Sequence, residues 1–380
     1  MGDQAGNQLQ TEALVVEKAG APFVLQIVAL DDIRPHELLV DIKYAGLCHT
    51  DLVVQAGHMP FGSFPTVLGH EGAGVIRSLG SGIENKDLRV GDRVILGFCS
   101  CLDCPACKDN RKGACESIAP VNFVGSRGED SASTLHTSDG APVRGSFFGQ
   151  SSFSRLAVVD SRAVVKYSGP VDDLEYLAPL GCGYMTGAAT VMNVLKPNKS
   201  HSIAILGLGA VGLCALMAAK REGIETIVAL DIVESRLVLA KQFGATHAIN
   251  SKGFDSVEEA IREILPRGVN FVVDTTGSTT VIDSGVRALA HGGTLAIVGT
   301  PRPQETLNTE ALDMLTQCKS IIGVTGGFCN PQEFIPRLLE MFKSGEFPID
   351  KLHKTYRPAD IETAIDDMKS GRVVKPVIAW

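Results

Sequence analysis

Four cysteines on one short segment constrain this 380-residue chain more than any other feature. They follow the pattern C-x2-C-x2-C-x7-C, with ligand-type side chains at Cys101, Cys104, Cys107 and Cys115. Four thiolates at this spacing can close a tetrahedron around one zinc ion, and closed sites of this kind have a structural role. The sequence therefore predicts a loop that folds around a structural zinc.

The main alternative is a disulfide cluster of the type found in secreted proteins. No N-terminal stretch has the basic, apolar and small-residue regions of a secretory signal. Ten cysteines in such a chain, which is long enough to bury a core without cross-links, favour metal ligands. A nucleic-acid-binding zinc finger is disfavoured because the net charge is −8 and no basic stripe accompanies the cysteines. The cysteines expected to be packing thiols are Cys99, Cys214, Cys318 and Cys329.

Length and composition favour a globular enzyme of two domains. Hydrophobic residues make up 44% and charged residues 21%, which is typical of a soluble protein. No apolar run approaches the roughly 18 residues of a membrane span, and no lipidation or targeting signal is recognisable. We therefore expect a cytoplasmic protein, and the acidic balance disfavours nucleic acid and anionic membranes as partners.

The two halves of the chain have different patterns. Residues 1–182 contain short β-type runs separated by glycine-rich turns, which predict a small β-rich domain. Over residues 183–324, apolar strands alternate with helical segments of about 10–15 residues, which predicts a parallel, doubly wound α/β sheet. The tail, 325–380, is too short to form a domain and is expected to return to the first one. The α/β domain would then be an insertion.

A dinucleotide site is predicted at the start of the α/β domain. Gly207, Gly209 and Gly212 form a G-x-G-x-x-G turn between a predicted strand and a predicted helix, which suits a pyrophosphate. Asp231 follows 19 residues later, at the end of the next strand. Its carboxylate would accept hydrogen bonds from a ribose diol and repel a 2′-phosphate, which favours NAD over NADP. Arg236 either borders the adenosine ribose or is a solvated helix residue.

Three further potential ligands lie far apart in the sequence. Cys48 belongs to the segment C-H-T-D, His70 to the segment G-H-E-x-x-G, and Cys182 stands between two glycines. Any one of them alone would usually be structural. Together, two thiolates and one imidazole leave a fourth position open, as in catalytic zinc sites. The sequence therefore predicts a second zinc with a catalytic role.

These motifs and their order resemble the zinc-dependent alcohol dehydrogenases of the medium-chain dehydrogenase/reductase superfamily. The resemblance covers nearly the whole chain, and residues 48–53 and 178–183 are most similar to the aryl (benzyl-type) alcohol dehydrogenases. It implies a GroES-like β-rich catalytic domain, an inserted Rossmann domain and a homodimer or homotetramer. The implied reaction interconverts a primary, aromatic or allylic, alcohol and its aldehyde, with hydride transfer to or from NAD.

The resemblance also implies roles around the catalytic zinc. Cys48, His70 and Cys182 would be the ligands. Glu71 would be their neighbour and an occasional fourth ligand. Asp51 would orient the imidazole of His70 without touching the metal.

Proton transfer and cofactor contacts are implied in the same way. Thr50 would hydrogen-bond the alcohol and take its proton. The family usually has an arginine at the position of His49, and several members have a histidine at the position of Val53, so phosphate binding and proton exit are expected to differ here. The cofactor residues implied outside the glycine turn are His49 and Lys375 at the pyrophosphate and Thr186 and Val211 at the nicotinamide.

The sequence leaves several functions open. One is a pathway-specific zinc-dependent aldehyde reductase, since the direction of the reaction depends on cofactor ratio, and another is a relative that oxidises glutathione adducts. A third is a non-catalytic zinc- and nucleotide-binding homologue, against which the intact Cys48, His70, Cys182 and Thr50 argue. Phe98 either faces the substrate, which would favour apolar or aromatic alcohols, or is a core aromatic.

Overall fold

The computed structural model describes residues 8–59, 63–128 and 130–380. The distribution of contacts between residues divides the chain into two compact units. The first unit comprises Met1–Lys108, Cys115–Cys182 and Leu352–Trp380, and the second unit comprises Asp109–Ala114 and Gly183–Lys351.

The secondary structure of the described residues alternates between short strands and short helices. The strands are β1 (Gln10–Val16), β2 (Val24–Leu30), β3 (Glu37–Gly46), β4 (Thr66–Val67), β5 (Gly72–Leu79), β6 (Arg93–Leu96), β7 (Leu135–His136), β8 (Pro142–Val143), β9 (Leu156–Asp160), β10 (Val164–Tyr167), β11 (Ser202–Leu206), β12 (Thr226–Asp231), β13 (His247–Asn250), β14 (Val269–Asp274), β15 (Leu289–Ile297), β16 (Ser320–Gly323), β17 (His353–Tyr356) and β18 (Lys375–Ala379). The α-helices are α1 (His49–Gln55), α2 (Pro105–Lys108), α3 (Ile118–Asn122), α4 (Leu174–Leu177), α5 (Gly183–Ala189), α6 (Ala210–Arg221), α7 (Glu234–Gln242), α8 (Val257–Ile264), α9 (Thr279–Arg287), α10 (Ala311–Thr316), α11 (Pro331–Lys343) and α12 (Ile361–Lys369). Short 3-10 turns cover Lys112–Ala114, Phe147–Gly149, Ser161–Ala163, Ala178–Gly181, Ser251–Gly253, Gly326–Phe328, Ile349–Lys351 and Pro358–Asp360, and a π-helix covers Thr190–Leu195. In the part of the chain that is described, every helix is too short or too polar to cross a bilayer.

The chain returns to the first unit at Leu352, later than the residue 325 expected from the sequence. The physical reason is close packing between the turn at Gly327 and the end of α5. A Cβ atom added to Gly327 would lie 2.2 Å from the Cβ atom of Ala189. This turn and the α11 helix that follows it therefore belong to the second unit.

The first unit is built on two β-sheets, as the β-rich pattern of residues 1–182 predicts. One sheet has the strand order β4-β1-β2-β7-β8, and the other has the order β10-β6-β5-β3-β18-β17, with β9 also paired to β3. Side chains of β3 alternate between buried and partly exposed, and Leu38, Val40 and Ile42 are fully buried in the apolar core. A period of two is that of a half-buried strand.

Strand pairing at the end of β3 sets the position of the loops that matter for function. Ala45 pairs with Gly72 at the start of β5, and Gly46 pairs with Val377 in β18. The loop after β3, the turn before β5 and the start of β18 therefore lie side by side at one end of this sheet.

The second unit contains the predicted parallel sheet. Its strand order is β13-β12-β11-β14-β15-β16, and every neighbouring pair is parallel. All five residues of β11 are buried, as expected for a strand covered by helices on both faces. The predicted doubly wound α/β fold is confirmed.

The glycine turn between β11 and α6 is fixed by backbone sterics. Gly207 has φ +85°, in the left-handed region that favours glycine. A Cβ atom on Gly212 would lie 1.9 Å from the carbonyl oxygen of Gly207, so α6 can approach the turn only if this residue is glycine. A Cβ atom on Gly209 would meet nothing within 4 Å, which leaves open space beside the turn.

We predict that Gly212→Ala lowers the free energy of unfolding by about 1–3 kcal/mol, because the added methyl group overpacks the turn. Urea denaturation measures this change. Gly323→Ala is the matched control, since it lies in the same unit and its Cβ atom would meet nothing within 4 Å. Equal stabilities for the two variants would contradict the close approach inferred for Gly212.

Candidate active site and metal centres

The four cysteines of the C-x2-C-x2-C-x7-C segment converge in the first unit. The sulfur atoms of Cys101, Cys104, Cys107 and Cys115 all lie within 4.8 Å of one another, and those of Cys101 and Cys107 are 3.8 Å apart. Backbone amides of Cys104 and Asp103 donate to the sulfur of Cys101 and lower its pKa to about 6. All ten cysteines of the chain are free thiols. The geometry fits a closed four-thiolate zinc site and not a disulfide cluster.

The second set of potential ligands also converges, although its members come from three separate segments. Cys48 precedes α1, His70 and Glu71 form the turn before β5, and Cys182 follows the Ala178–Gly181 turn. One ligand atom from each of these residues lies within 4.8 Å of the others. His70 and Glu71 have no exposed surface. A set of two partly exposed sulfurs, one buried imidazole and one buried carboxylate suits zinc.

Asp51 ties two of these segments together. Its Oδ1 atom accepts hydrogen bonds from Nδ1 of His70 and the amide of Gly69, both at 3.0 Å, and its Oδ2 atom accepts from the amide of Cys48 at 3.0 Å. Nε2 of His70 is buried without a hydrogen-bond partner, so it is the imidazole atom left for a metal. Burial opposes a charged imidazole, but Asp51 raises the pKa of His70 well above its usual value.

The surroundings of Cys48, in the loop between β3 and α1, favour its thiolate form. A hydrogen bond from Cys182 lowers the pKa of Cys48, and the positive charges of Lys375 and His70 lower it further against the effect of burial. A thiolate is the form of cysteine that ligates metals. These contacts therefore favour the thiolate form of Cys48.

A buried ion pair borders the same cluster. The ammonium group of Lys375 donates to both carboxylate oxygens of Glu71, at 3.0 and 2.9 Å, and to the carbonyl oxygen of Leu47 at 3.1 Å. Burial raises the pKa of Glu71, and the charge of Lys375 opposes this rise. Lys375 is brought here by the pairing of β18 with β3. The pyrophosphate contact expected for this lysine stays a prediction, since its three donors point to protein acceptors.

Three of the remaining residues predicted for this part of the site, His49, Thr50 and Val53, lie on α1. Oγ1 of Thr50 is 3.7 Å from Sγ of Cys48, within reach of the ligand cluster. His49 is exposed and Val53 is half-buried on the same helix. Phe98 is buried, with 6% of its surface exposed, and its role toward a substrate stays a prediction.

In the second unit, the predicted ribose-binding carboxylate lies beside the glycine turn. Oδ2 of Asp231 accepts a hydrogen bond from the amide of Leu208 at 2.6 Å, and Oδ1 accepts from the amides of Ile232 and Val233 at 2.7 and 2.9 Å. Nη1 of Arg236 is 3.7 Å from the same carboxylate. Backbone donors thus hold an anionic group at the end of β12, next to the turn.

The two residues expected at the nicotinamide lie on neighbouring helices of the second unit. A Cβ atom on Gly187 in α5 would lie 2.0 Å from the carbonyl oxygen of Val211 in α6, so these helices are in close contact. Thr186 precedes this contact point, and both Thr186 and Val211 are half-buried.

Sequence reasoning missed a group of residues that surrounds the imidazole of His70. The ring of Phe148 stacks on it with centroids 4.6 Å apart, and the ring of Phe147 meets it edge-on at 5.5 Å. Phe123 packs against both phenylalanines. Gln150, which is fully buried, donates a hydrogen bond to the carbonyl oxygen of His70 at 3.1 Å. The only sequence signal was the F-F-G-Q run that follows a polar segment.

Comparison with known proteins agrees with this architecture. Residues 34–169 match the alcohol dehydrogenase GroES-like domain, and residues 210–344 match the zinc-binding dehydrogenase domain. The chain is 36% identical to geraniol dehydrogenase of Castellaniella defragrans over 98% of each sequence. The structure is similar to the crystal structure of benzyl alcohol dehydrogenase from Acinetobacter calcoaceticus, with a TM-score of 0.91 over 98% of this chain and 99% of that one. The sequence identity of the two chains is 39%. A zinc-binding alcohol dehydrogenase domain protein from Burkholderia ambifaria gives 39% identity and a TM-score of 0.92 over the same shares.

The fold and the two ligand clusters, together with these matches, define a zinc-dependent oxidoreductase with a GroES-like domain and a Rossmann-type domain. The chain belongs to the zinc-dependent alcohol dehydrogenases of the medium-chain dehydrogenase/reductase superfamily. It is a zinc-dependent enzyme that acts on small-molecule alcohols or aldehydes. The resemblance inferred from the sequence is confirmed.

Proposed function

We propose that this chain is an NAD-dependent zinc alcohol dehydrogenase that interconverts primary aromatic or allylic alcohols and their aldehydes, with two zinc ions per chain. One observation carries the proposal: Cys48, His70 and Cys182 converge in a cluster where Nε2 of His70 is buried without a partner. Two thiolates and one imidazole are the ligand set of an open zinc site. By resemblance to its family, the chain would act as a homodimer or homotetramer.

Cys48, His70 and Cys182 would hold the catalytic zinc, and Glu71 would be available as a fourth ligand. When bound, the ion would supply Lewis-acid polarisation of the alcohol or aldehyde oxygen. Asp51 accepts a hydrogen bond from Nδ1 of His70. This contact favours the tautomer in which Nδ1 carries the proton and Nε2 is free to bind a metal ion.

Thr50 is the residue that we assign to the substrate proton. Its hydroxyl group is next to Cys48 and can both accept and donate a hydrogen bond. It would accept the alcohol proton during oxidation and return it during reduction. Val53 offers no acceptor further along α1, so the proton would leave through water or through the exposed His49.

Cofactor selectivity is assigned to the second unit. The open space at Gly209 would let a pyrophosphate approach the turn closely. Asp231 would bind the ribose diol and repel a 2′-phosphate, with Arg236 beside it. Thr186 and Val211 would line the nicotinamide.

The substrate class is supported by two relatives and by local composition. The names of the Castellaniella and Acinetobacter proteins refer to geraniol and benzyl alcohol, which are primary alcohols with the carbinol carbon next to a π-system. In this chain, Phe123, Phe147 and Phe148 form an aromatic cluster against the ligand His70. The partly exposed rings of Phe123 and Phe148 would favour substrates of that kind where they border the candidate metal site.

We expect purified protein to contain two zinc ions per chain. Cys48→Ala should remove one ion and abolish turnover with little loss of stability. Cys107→Ser should remove the other and lower the melting temperature, because a structural site contributes to folding. Metal analysis and thermal unfolding measure both effects, and Cys318→Ser, at an exposed cysteine, should retain two ions. One zinc or none in the wild-type protein, prepared without chelators, would contradict the proposal.

NAD should give a higher kcat/KM than NADP. Asp231→Ser should weaken the binding of NAD and allow NADP to bind, because the charge that opposes the 2′-phosphate is lost. Steady-state kinetics with both cofactors tests this, and thermal unfolding of the variant controls for the lost hydrogen bonds to Leu208, Ile232 and Val233. Higher efficiency of the wild type with NADP would show that the role given to Asp231 is wrong.

The substrate class is tested by initial rates with NAD across benzylic, allylic, aliphatic and secondary alcohols, and with NADH across the matching aldehydes. Benzylic and allylic primary alcohols should give the highest kcat/KM. Ethanol or a secondary alcohol at the top of the panel would overturn the substrate assignment while leaving the reaction class intact.

A further inference from the structure

A short segment, residues 147–153, runs along the turn that carries His70 and Glu71. The amide of Ser152 donates to the carbonyl oxygen of Gly69 at 2.9 Å, and the amide of Phe153 donates to that of Leu68 at 3.0 Å. Phe148 and Ser151 in this segment have φ of +53° and +43°, which is unfavourable for residues other than glycine. The surrounding structure therefore holds the 147–153 segment in one defined conformation.

Gln150 is the side chain through which this segment meets the ligand turn. Its Oε1 atom accepts a hydrogen bond from the amide of Gly72 at 2.9 Å. Its Nε2 atom donates to the carbonyl oxygens of His70 at 3.1 Å and Gly97 at 2.9 Å. The two donors and the acceptor of the amide group are all used, and Glu71 lies between the two backbone positions of the turn that it clamps, His70 and Gly72.

The third hydrogen bond of Gln150, to Gly97, reaches the backbone segment against which the loop of Cys182 packs. Gly97 follows Leu96, whose carbonyl oxygen would lie 1.8 Å from a Cβ atom placed on Gly181. Gly181 immediately precedes the ligand Cys182. One amide group thus links the turn of His70 to the backbone against which the loop of Cys182 packs.

We propose that Gln150 is a positioning residue that sets the spacing between the His70–Glu71 turn and the Cys182 loop. This inference rests on the metal site of the proposed function. The hydrogen bonds of Gln150 go to backbone groups and not to ligand atoms, so it would act through the backbone of the residues that carry the ligands. Because the site is buried, a lost hydrogen bond leaves backbone groups unpaired, and the turn shifts to find other partners. Loss of partners that orient metal ligands typically lowers metal affinity about 10–100-fold.

The chain offers a matched control in Asn122. This amide is also fully buried, and it also makes three hydrogen bonds to backbone groups: it accepts from the amide of Cys99 at 2.9 Å and donates to the carbonyl oxygens of Cys99 at 2.9 Å and Ile118 at 2.8 Å. None of these groups belongs to the ligand turn of His70. A general effect of losing a buried amide should therefore be equal at both positions.

The experiment compares Gln150→Glu with Asn122→Asp, and Gln150→Met with Asn122→Leu, in the full-length holoprotein. Zinc transfer to a chromogenic chelator is followed in time, and the phase absent from Cys48→Ala identifies the catalytic-site ion. Cobalt is then substituted for zinc, and the visible absorption of the cobalt–thiolate centre is recorded. We expect the Gln150 variants to lower metal affinity of this site about 10–100-fold and to shift the cobalt spectrum, with neither change in the Asn122 variants.

Wild-type affinity and an unchanged cobalt spectrum in a folded Gln150 variant would overturn the positioning role. Failure of both Gln150 variants to fold, with both Asn122 variants folded, would also overturn it, because the residue would then serve folding as a whole. Absence of the Cys48-dependent phase from the wild-type protein would instead contradict the proposed function. The two failures are therefore distinguishable.

Discussion

The pairing of β3 with β5 on one side and β18 on the other is the constraint on which the geometry of the candidate catalytic cluster depends. Hydrogen bonding between neighbouring strands fixes which residues lie opposite one another, so Ala45 faces Gly72 and Gly46 faces Val377. These pairings bring three groups together at one end of the sheet: Cys48 just after β3, the His70–Glu71 turn just before β5, and Lys375 at the start of β18. A slip of one residue in either pairing would move a ligand or its counter-charge away from the site.

Buried polar groups hold this arrangement in place. Asp51, Gln150 and Lys375 are almost fully buried, and each makes three hydrogen bonds or ion-pair contacts to the segments that carry the candidate ligands or to backbone that packs against them. An unpaired polar group in such surroundings is costly, so the conformation that satisfies all three side chains is strongly favoured. The protein thereby orients His70 and keeps Glu71 beside the cluster through contacts that are independent of a metal ion.

The convergence of both candidate ligand sets was predictable because their residue types and spacing are those of metal sites. Four cysteines within 15 residues can meet only on one loop, and Cys48, His70 and Cys182 stand in motifs specific enough to be recognised together. The position of Asp231 beside the glycine turn was predictable from the number of residues between them. By contrast, Phe148 and Gln150 belong to no recognisable motif. Their contacts with the turn of His70 depend on size and polarity, which many residue types share, and on a tertiary arrangement that the local sequence does not encode.

The sequence by itself determined the class of protein, the alternation of strands and helices in the second unit, and the identity of the candidate metal ligands. These features are local, or they depend on the chemistry of single side chains. Only the tertiary structure decided where the chain returns to the first unit, that Lys375 pairs with Glu71, and that Phe148 and Gln150 enclose the turn of His70. Those contacts join residues about 80 to 300 positions apart, and they exist because strand register and core packing bring distant segments into contact.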